Sequence, residues 1–297
     1  MDLQLGVVTP VVNLNPRFDP PPWELSGGIE EVVAVARAAE DAGYRWVSCS
    51  EHVAIPAQVA ATRGGRYWDP LATLSFVAGR TQSIGLLTYV LVLGYHHPLE
   101  VVKRYGTLDV ASSGRVVLGL GVGTLRPEFD LLGAPYAGRG ARADDAMRAI
   151  RASFGHRAPS YDGPHYAFGD VIVDPCGLER PVTMWVGGRT RRSLRRALEL
   201  GDGWIPFGLP LPALRALLED PELAEQRRAR PGFDVVLAPE PPLDPTGQPE
   251  TCAEVVRAYA AAGSTALNVR FVHRSLSHYL EQLEALAGLV RALELAR

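Results

Sequence analysis

Residues 29–48 read IEEVVAVARAAEDAGYRWVS: a helix, a glycine and the opening of a strand. Ile29, Val32, Val33, Ala36, Ala39 and Ala42 recur at helical spacing. Gly43 follows where a helix end favours glycine, since a left-handed residue there carries no Cβ penalty. Tyr44-Arg45-Trp46-Val47-Ser48 then enters a strand. The unit returns twice. Leu194, Ala197 and Leu198 lead into Gly201-Asp202-Gly203-Trp204-Ile205, and Val255, Val256 and Tyr259 lead into Gly263-Ser264-Thr265-Ala266-Leu267-Asn268-Val269.

Working outward, further strands are predicted at Leu3–Val8, Ile84–Leu93, Val116–Gly121, Val182–Val186 and Asp234–Ala238. Several are nearly continuous apolar runs, as suits parallel strands buried on both faces. Asp69-Pro70 starts a helix, because Asp caps well and Pro suits the first helical position. Others are predicted at Pro98–Ala111, Arg142–Phe154, Arg191–Leu200, Leu211–Leu218, Thr251–Ala262 and Leu276–Ala296. Eight strands alternating with eight helices predict the α/β class and a (β/α)8 TIM barrel, with residues 1–297 forming a single domain. Ser160–Cys176, with Tyr161-Asp162-Gly163 and Phe168-Gly169-Asp170, reads as a hairpin inserted before strand five.

Composition narrows the class. The 297 residues are 47% hydrophobic and 21% charged, with a net charge of −3. The pI near 6.2 argues against a nucleic-acid or anionic-membrane partner. The longest apolar runs, such as Ile84–Leu93, are half a membrane span. The opening Met1-Asp2-Leu3-Gln4 has no basic region or cleavage pattern, so no signal peptide is expected. Cys49, Cys176 and Cys252 lie far apart with no CxxC, which disfavours a disulfide frame or thiolate zinc site and leaves a reducing cytoplasm as the expected compartment. Lys103 is the one lysine, which excludes a Walker loop and leaves little room for Schiff-base chemistry. Strand one carries no HxH, so no metal site is expected.

In a barrel, function sits at the C-terminal strand ends. Strand two ends in Ser50-Glu51-His52. A histidine beside a glutamate can move protons near neutral pH, or can simply bond loop backbone. His96-His97 follows strand three, where His97 before Pro98 can equally open a helix. Gly187-Gly188-Arg189-Thr190 joins a strand to a helix and suits a phosphate, through backbone N–H groups, the helix dipole and the Thr190 hydroxyl. Arg189, Arg191 and Arg192 add charge, whereas Arg195 and Arg196 read as a solvated face. Gly119-Leu120-Gly121-Val122-Gly123 is GxGxG, not a dinucleotide fingerprint, and its glycines would let a flat ligand approach the backbone. Glu51, Glu128 and Glu240 are strand-end carboxylates, and a glycosidase pair could be drawn from Glu128 and Glu240.

Motifs then coincide in order. They include Trp46-Val47-Ser48-Cys49-Ser50-Glu51-His52, Tyr67-Trp68-Asp69-Pro70-Leu71, His97-Pro98-Leu99, Ser113-Gly114-Arg115, the GxGxG, Trp185-Val186-Gly187-Gly188 and Gly201-Asp202-Gly203-Trp204. The chain resembles the bacterial-luciferase-like superfamily, in particular its deazaflavin (coenzyme F-420)-dependent oxidoreductase branch. That resemblance implies a cofactor across the strand ends, with its phosphate at Gly187, Gly188, Arg189 and Thr190. It implies a ring backed by a non-prolyl cis peptide at Tyr89-Val90, near Gly121 and Gly123. It implies His52, with Glu51, at the ring and Thr124 as proton donor or substrate contact. Tyr89 is bulkier than the family's usual residue, and Thr124 stands where some relatives carry a carboxylate. The implied reaction is hydride transfer from reduced coenzyme F-420 to a C=C, C=N or C=O bond of a small organic substrate. An FMN-dependent luciferase-like monooxygenase is the alternative, and a cofactor-free hydrolase or non-redox barrel the second. Related barrels commonly pair, so a homodimer is expected through the helix carrying Leu71, Leu74, Phe76 and Val77.

Overall fold

The computed structural model describes residues 3–295. In chain order its strands are β1 (Gln4–Val8), β2 (Trp46–Cys49), β3 (Gly85–Thr88), β4 (Leu91–Val92), β5 (Val116–Gly121), β6 (Tyr161–Asp162), β7 (Ala167–Phe168), β8 (Thr183–Gly187), β9 (Gly203–Ile205), β10 (Asp234–Leu237) and β11 (Ala266–Val269). Parallel pairing runs β3-β2-β1-β11-β10-β9-β8-β5, and β5 returns to β3, so eight strands close the expected barrel. Strands β6 and β7 form the expected inserted hairpin, with Tyr161 opposite Phe168. Buried Asp145 anchors it, accepting from the Tyr161 hydroxyl at 2.6 Å and from the His165 and Tyr166 N–H groups.

The third barrel strand is not continuous over Ile84–Leu93 as its apolar run suggests. The Tyr89-Val90 peptide is cis, as the resemblance implies, and the strand resumes as β4 against the end of β5. Glycines on the neighbouring strands make room for the break. A Cβ on Gly121 would lie 2.6 Å from Val90 Cγ2, and one on Gly187 would lie 2.8 Å from Val90 Cγ1. The GxGxG glycines make room for the protein's own atoms, the Thr88 carbonyl beside Gly119, Val90 beside Gly121 and Phe129 beside Gly123.

Twelve α-helices occur among the described residues. Asp69 caps the helix Pro70–Ala78 as expected, accepting from the Ala72 N–H at 2.7 Å. Short helices that the periodicity did not disclose are Pro22–Ser26, Ala57–Arg63, Arg126–Leu131 and Pro221–Arg228. They span two turns or so, too short for an apolar stripe to declare itself. The last helix runs Leu276–Leu295, and Ala296 of the expected span lies outside the described residues. No helix among the described residues is long and apolar enough to cross a membrane.

The lumen is packed shut below its mouth. Trp46 and Trp185 meet edge to face at 4.9 Å among Leu87, Ile205, Val236 and Ala266. Each buried indole N–H finds an acceptor, Trp46 in Asn268 Oδ1 and Trp185 in Asp234 Oδ2, both at 3.1 Å. With the interior filled, the cavity is confined to the strand C-termini.

Candidate active site

A cavity of about 410 Å³ opens at that mouth, within the size range of about 300–1,000 Å³ for small-molecule sites. Glu51, His52, Tyr89, Val90, Gly121, Gly123, Thr124, Gly187, Gly188 and Arg189 all line it. Thr190, Glu128, His96 and His97 do not. Thr124 is exposed at the rim, and its carbonyl accepts a long 3.4 Å bond from the Tyr136 hydroxyl.

His52 takes its orientation from Glu128, not from its neighbour Glu51. Its Nδ1 lies 2.6 Å from Glu128 Oε2. The same carboxylate accepts from the Tyr95 hydroxyl at 2.8 Å and from the Val53 and Ala54 N–H groups at 2.6 and 3.1 Å. Burial pushes the Glu128 carboxyl up, but hydrogen bonds from His52, Ala54 and Tyr95 outweigh it and hold its pKa below the ordinary carboxylate range. An ionised carboxylate only accepts. His52 Nδ1 therefore carries the hydrogen, and Nε2 is the nitrogen left to exchange a proton. The His52 ring packs edge-on against Tyr67 at 4.5 Å.

Glu51, in the loop after β2, points elsewhere. It is 6% exposed, and its Oε2 accepts from the Val92 N–H at 2.6 Å while Oε1 meets His96 Nε2 at 2.7 Å. Glu51 thus pins the resumed strand β4 and ties His96 to the cavity wall. His97 instead caps the helix Pro98–Ala111, its Nδ1 accepting from the Leu99 N–H at 3.2 Å. Glu128 was legible only as one strand-end carboxylate among three. The remaining pair is not set for glycoside chemistry: Glu128 is sealed behind His52, and Glu240 is engaged by Arg17 at 2.8 Å.

The turn after β8 has the features of an anion cradle. Gly188 has φ +119°, and a Cβ there would lie 2.7 Å from Ser193 Cβ. The Arg189 N–H has no protein acceptor among the described residues. Thr190 caps the helix Arg191–Leu200, its Oγ1 accepting from the Ser193 N–H at 3.2 Å, so this hydroxyl oxygen serves the helix first. The arginines differ sharply. Arg191 is bound by Asp220 at 2.7 Å and also by Glu222, and Arg195 by Glu222. Arg196 is not on a solvated face: it is 7% exposed and paired with Asp144, because the helix turns it onto the neighbouring helix Arg139–Ser153. Arg189 alone of the series faces the cavity, over the Phe207 ring at 5.7 Å. A free N–H, a positive-φ glycine, a helix start and one unpaired guanidinium fit a phosphate group.

Comparison with known proteins agrees with this geometry. The chain belongs to the luciferase-like monooxygenase family, whose model matches residues 5–246. An uncharacterised Mycobacterium tuberculosis protein is 30% identical over 185 residues, 58% of this chain and 66% of the relative, so the chain spans just under two thirds of that relative's length. The F420-dependent hydroxymycolic acid dehydrogenase of the same organism is 32% identical over 181 residues, 59% of this chain and 48% of that enzyme. Two solved structures share the fold with a TM-score of 0.74. They are the monooxygenase RslO1 from Streptomyces bottropensis (19% identical, 98% of this chain and 100% of that one) and the coenzyme F420 dependent tetrahydromethanopterin reductase from Methanopyrus kandleri (14% identical, 99% of each chain).

Proposed function

We propose that this chain is an oxidoreductase that uses reduced coenzyme F-420 to reduce a C=C, C=N or C=O bond of a small organic substrate. The observation that carries the reading is a carboxylate-oriented histidine with a free Nε2 in the same cavity as a phosphate cradle. The bound deazaflavin would supply the hydride. Gly188 and Arg189 would hold its phosphate, and Val90 would back its ring. His52 Nε2 would deliver the proton that accompanies hydride, while Glu128 stabilises the charged imidazole and fixes its tautomer. The aromatic walls, Tyr67, Tyr89 and Tyr95, would keep bulk water away. The F420-dependent relative supports this branch.

The family's monooxygenase description supports an FMN-dependent oxygenase as the second reading. A fluorescence titration separates the two. Coenzyme F-420 should bind in the micromolar range or tighter, and FMN more weakly. Equal or tighter FMN binding would favour the oxygenase. A cofactor-free hydrolase gains little support, since Cys49 is buried with its pKa pushed up to about 12 by burial and the carboxylates are already engaged. We place the enzyme in the cytoplasm as a homodimer. Leu74 and Val77 are buried in the chain's own core, so the dimer contact would rest on exposed Phe76 and Val110. Light scattering that gives about 32 kDa rather than twice that would remove the dimer.

A further inference from the structure

Three arginines at the mouth, Arg63, Arg189 and Arg270, have no carboxylate partner among the described residues, whereas Arg17 is spent on Glu240. They fall into two poles. Arg189 follows β8 and belongs to the phosphate cradle. Arg270 follows β11, separated from β8 by two strands on one side and lying one strand from β2 on the other. The Arg270 guanidinium sits over the Phe18 ring at 4.5 Å and makes no side-chain hydrogen bond among the described residues. Burial lowers its pKa, and Arg63 lines the same mouth, its carbonyl accepting from the Tyr67 hydroxyl at 2.9 Å. A second donor waits beside them. Asn268 is 1% exposed and lines the cavity; its Oδ1 is used by Trp46, and its Nδ2 has no acceptor within hydrogen-bond distance, with the Tyr89 hydroxyl near enough to interact with the amide. A buried donor left unpaired is costly, so this corner suits an acceptor that comes from outside the chain.

We infer that Arg270, Asn268 Nδ2 and Arg63 form a carboxylate-binding subsite for the substrate, so that the compound reduced is a small apolar acid rather than a neutral molecule. This rests on the reductase reading of the cavity. Tyr67 lines the same mouth: it packs edge-on against the His52 ring, and its hydroxyl donates to the Arg63 carbonyl at 2.9 Å. A bound acid would present its reacting bond to His52 Nε2 from within the same cavity. The cofactor's own acidic tail would leave from the phosphate, at the Arg189 pole.

The test uses benzoate and its neutral isostere benzamide, titrated calorimetrically into the full chain with and without coenzyme F-420. Benzoate should bind at least about tenfold more tightly, the scale of one charge-assisted contact. Arg270→Gln should bring the two probes to within about twofold, with coenzyme F-420 affinity unchanged. Arg270→Lys should restore part of the preference, since it keeps the charge without the planar fork. Should Arg270→Gln fail to fold, Arg63→Gln should still lower the preference by about threefold, as a less buried charge would. Equal binding of the two probes, or a preference untouched by both substitutions, would overturn the subsite. Loss of coenzyme F-420 binding in parallel with benzoate would assign the corner to the cofactor tail and overturn it too. If coenzyme F-420 never binds while the cofactor-free protein still prefers benzoate, the subsite stands and the reductase reading falls.

Discussion

The two walls of the mouth are built on opposite plans. On the β2–β5 wall every carboxylate and histidine is already paired inside the protein: Glu128 with His52 and Tyr95, Glu51 with His96 and the Val92 N–H. On the β8–β11 wall the cations Arg189 and Arg270 have no such partners. The difference separates two tasks. A group that moves a proton must be held in one tautomer before the substrate arrives, so its hydrogen bonds are internal. A group that binds an anion must keep its donors free until the anion arrives, so its partner is left out. Removing the shared acceptor of the first wall, Glu128, should therefore damage chemistry and folding together, and substitutions on the second wall should damage binding alone.

The largest effect should come from Glu128→Ala. It leaves His52, the Tyr95 hydroxyl and two N–H groups without their shared acceptor, and breaking a buried pair from one side costs about 3–5 kcal/mol. Turnover should fall at least as far as in His52→Ala, because the imidazole loses its tautomer. The pH dependence follows from the lowered Glu128 pKa. Its stabilisation is present above the unfolded value of 4.5 and is lost as pH falls through the folded value below it. Thermal melts from pH 7 to 3 should show this acid loss in the parent and not in Glu128→Ala. A variant as stable as the parent would break the contrast between the walls.

His52→Ala isolates the chemistry. Without the imidazole Glu128 still accepts from the Tyr95 hydroxyl and the Val53 and Ala54 N–H groups, so the buried carboxylate stays satisfied. Turnover should fall by about 10²-fold or more, the scale of one acid–base group, with the melting temperature nearly unchanged. Full activity would reduce His52 to a loop contact. Arg189→Ala probes the other wall. Coenzyme F-420 binding should weaken by about ten- to a hundredfold, and more at low salt than at high. Arg196→Ala offers the internal control: it breaks the pair with Asp144, so it should lower stability while leaving cofactor affinity near the parent's. Equal loss of affinity in both variants would make the arginines a diffuse field rather than a cradle.

The barrel was readable from the sequence because its signals are local. The helix–Gly–strand unit around Gly43 is set within residues 29–48, and each continuous apolar strand within ten residues or fewer. The site was readable to the extent that strand ends gather at one mouth, which brought His52, Tyr89 and Gly188 together. Pairing was not. His52 and Glu128 are 76 residues apart and meet only because β2 and β5 flank β3. Glu51, adjacent in sequence, points to the other side. Arg270 carried no local signal at all, since a lone arginine after a strand reads as surface. Burial is a property of the closed ring, and with it the contrast between Arg196 in its ion pair and Arg189 in the cavity.

The smallest expected effect lies at the outer edge of the paired wall. His96 touches Glu51 at 2.7 Å and Glu100 at 3.8 Å, with Arg104 just beyond. Burial pulls the His96 pKa down, but the hydrogen bond and charge of Glu51, with the charge of Glu100, more than reverse it, and the net shift is upward. A raised pKa stabilises the fold fully below the unfolded value of 6.5, and that contribution is lost as pH rises through the folded value above it. His96→Gln should keep a hydrogen bond to Glu51 while removing the charge. It should therefore melt lower than the parent at pH 6, by about 2 °C for a loss near 1 kcal/mol, and match it more closely at pH 9. Binding of coenzyme F-420 should not change, because His96 faces Glu51 and the helix behind it rather than the arginine wall. A gap that widens toward pH 9 would reverse the sign and show that the protonated imidazole is not what Glu51 holds.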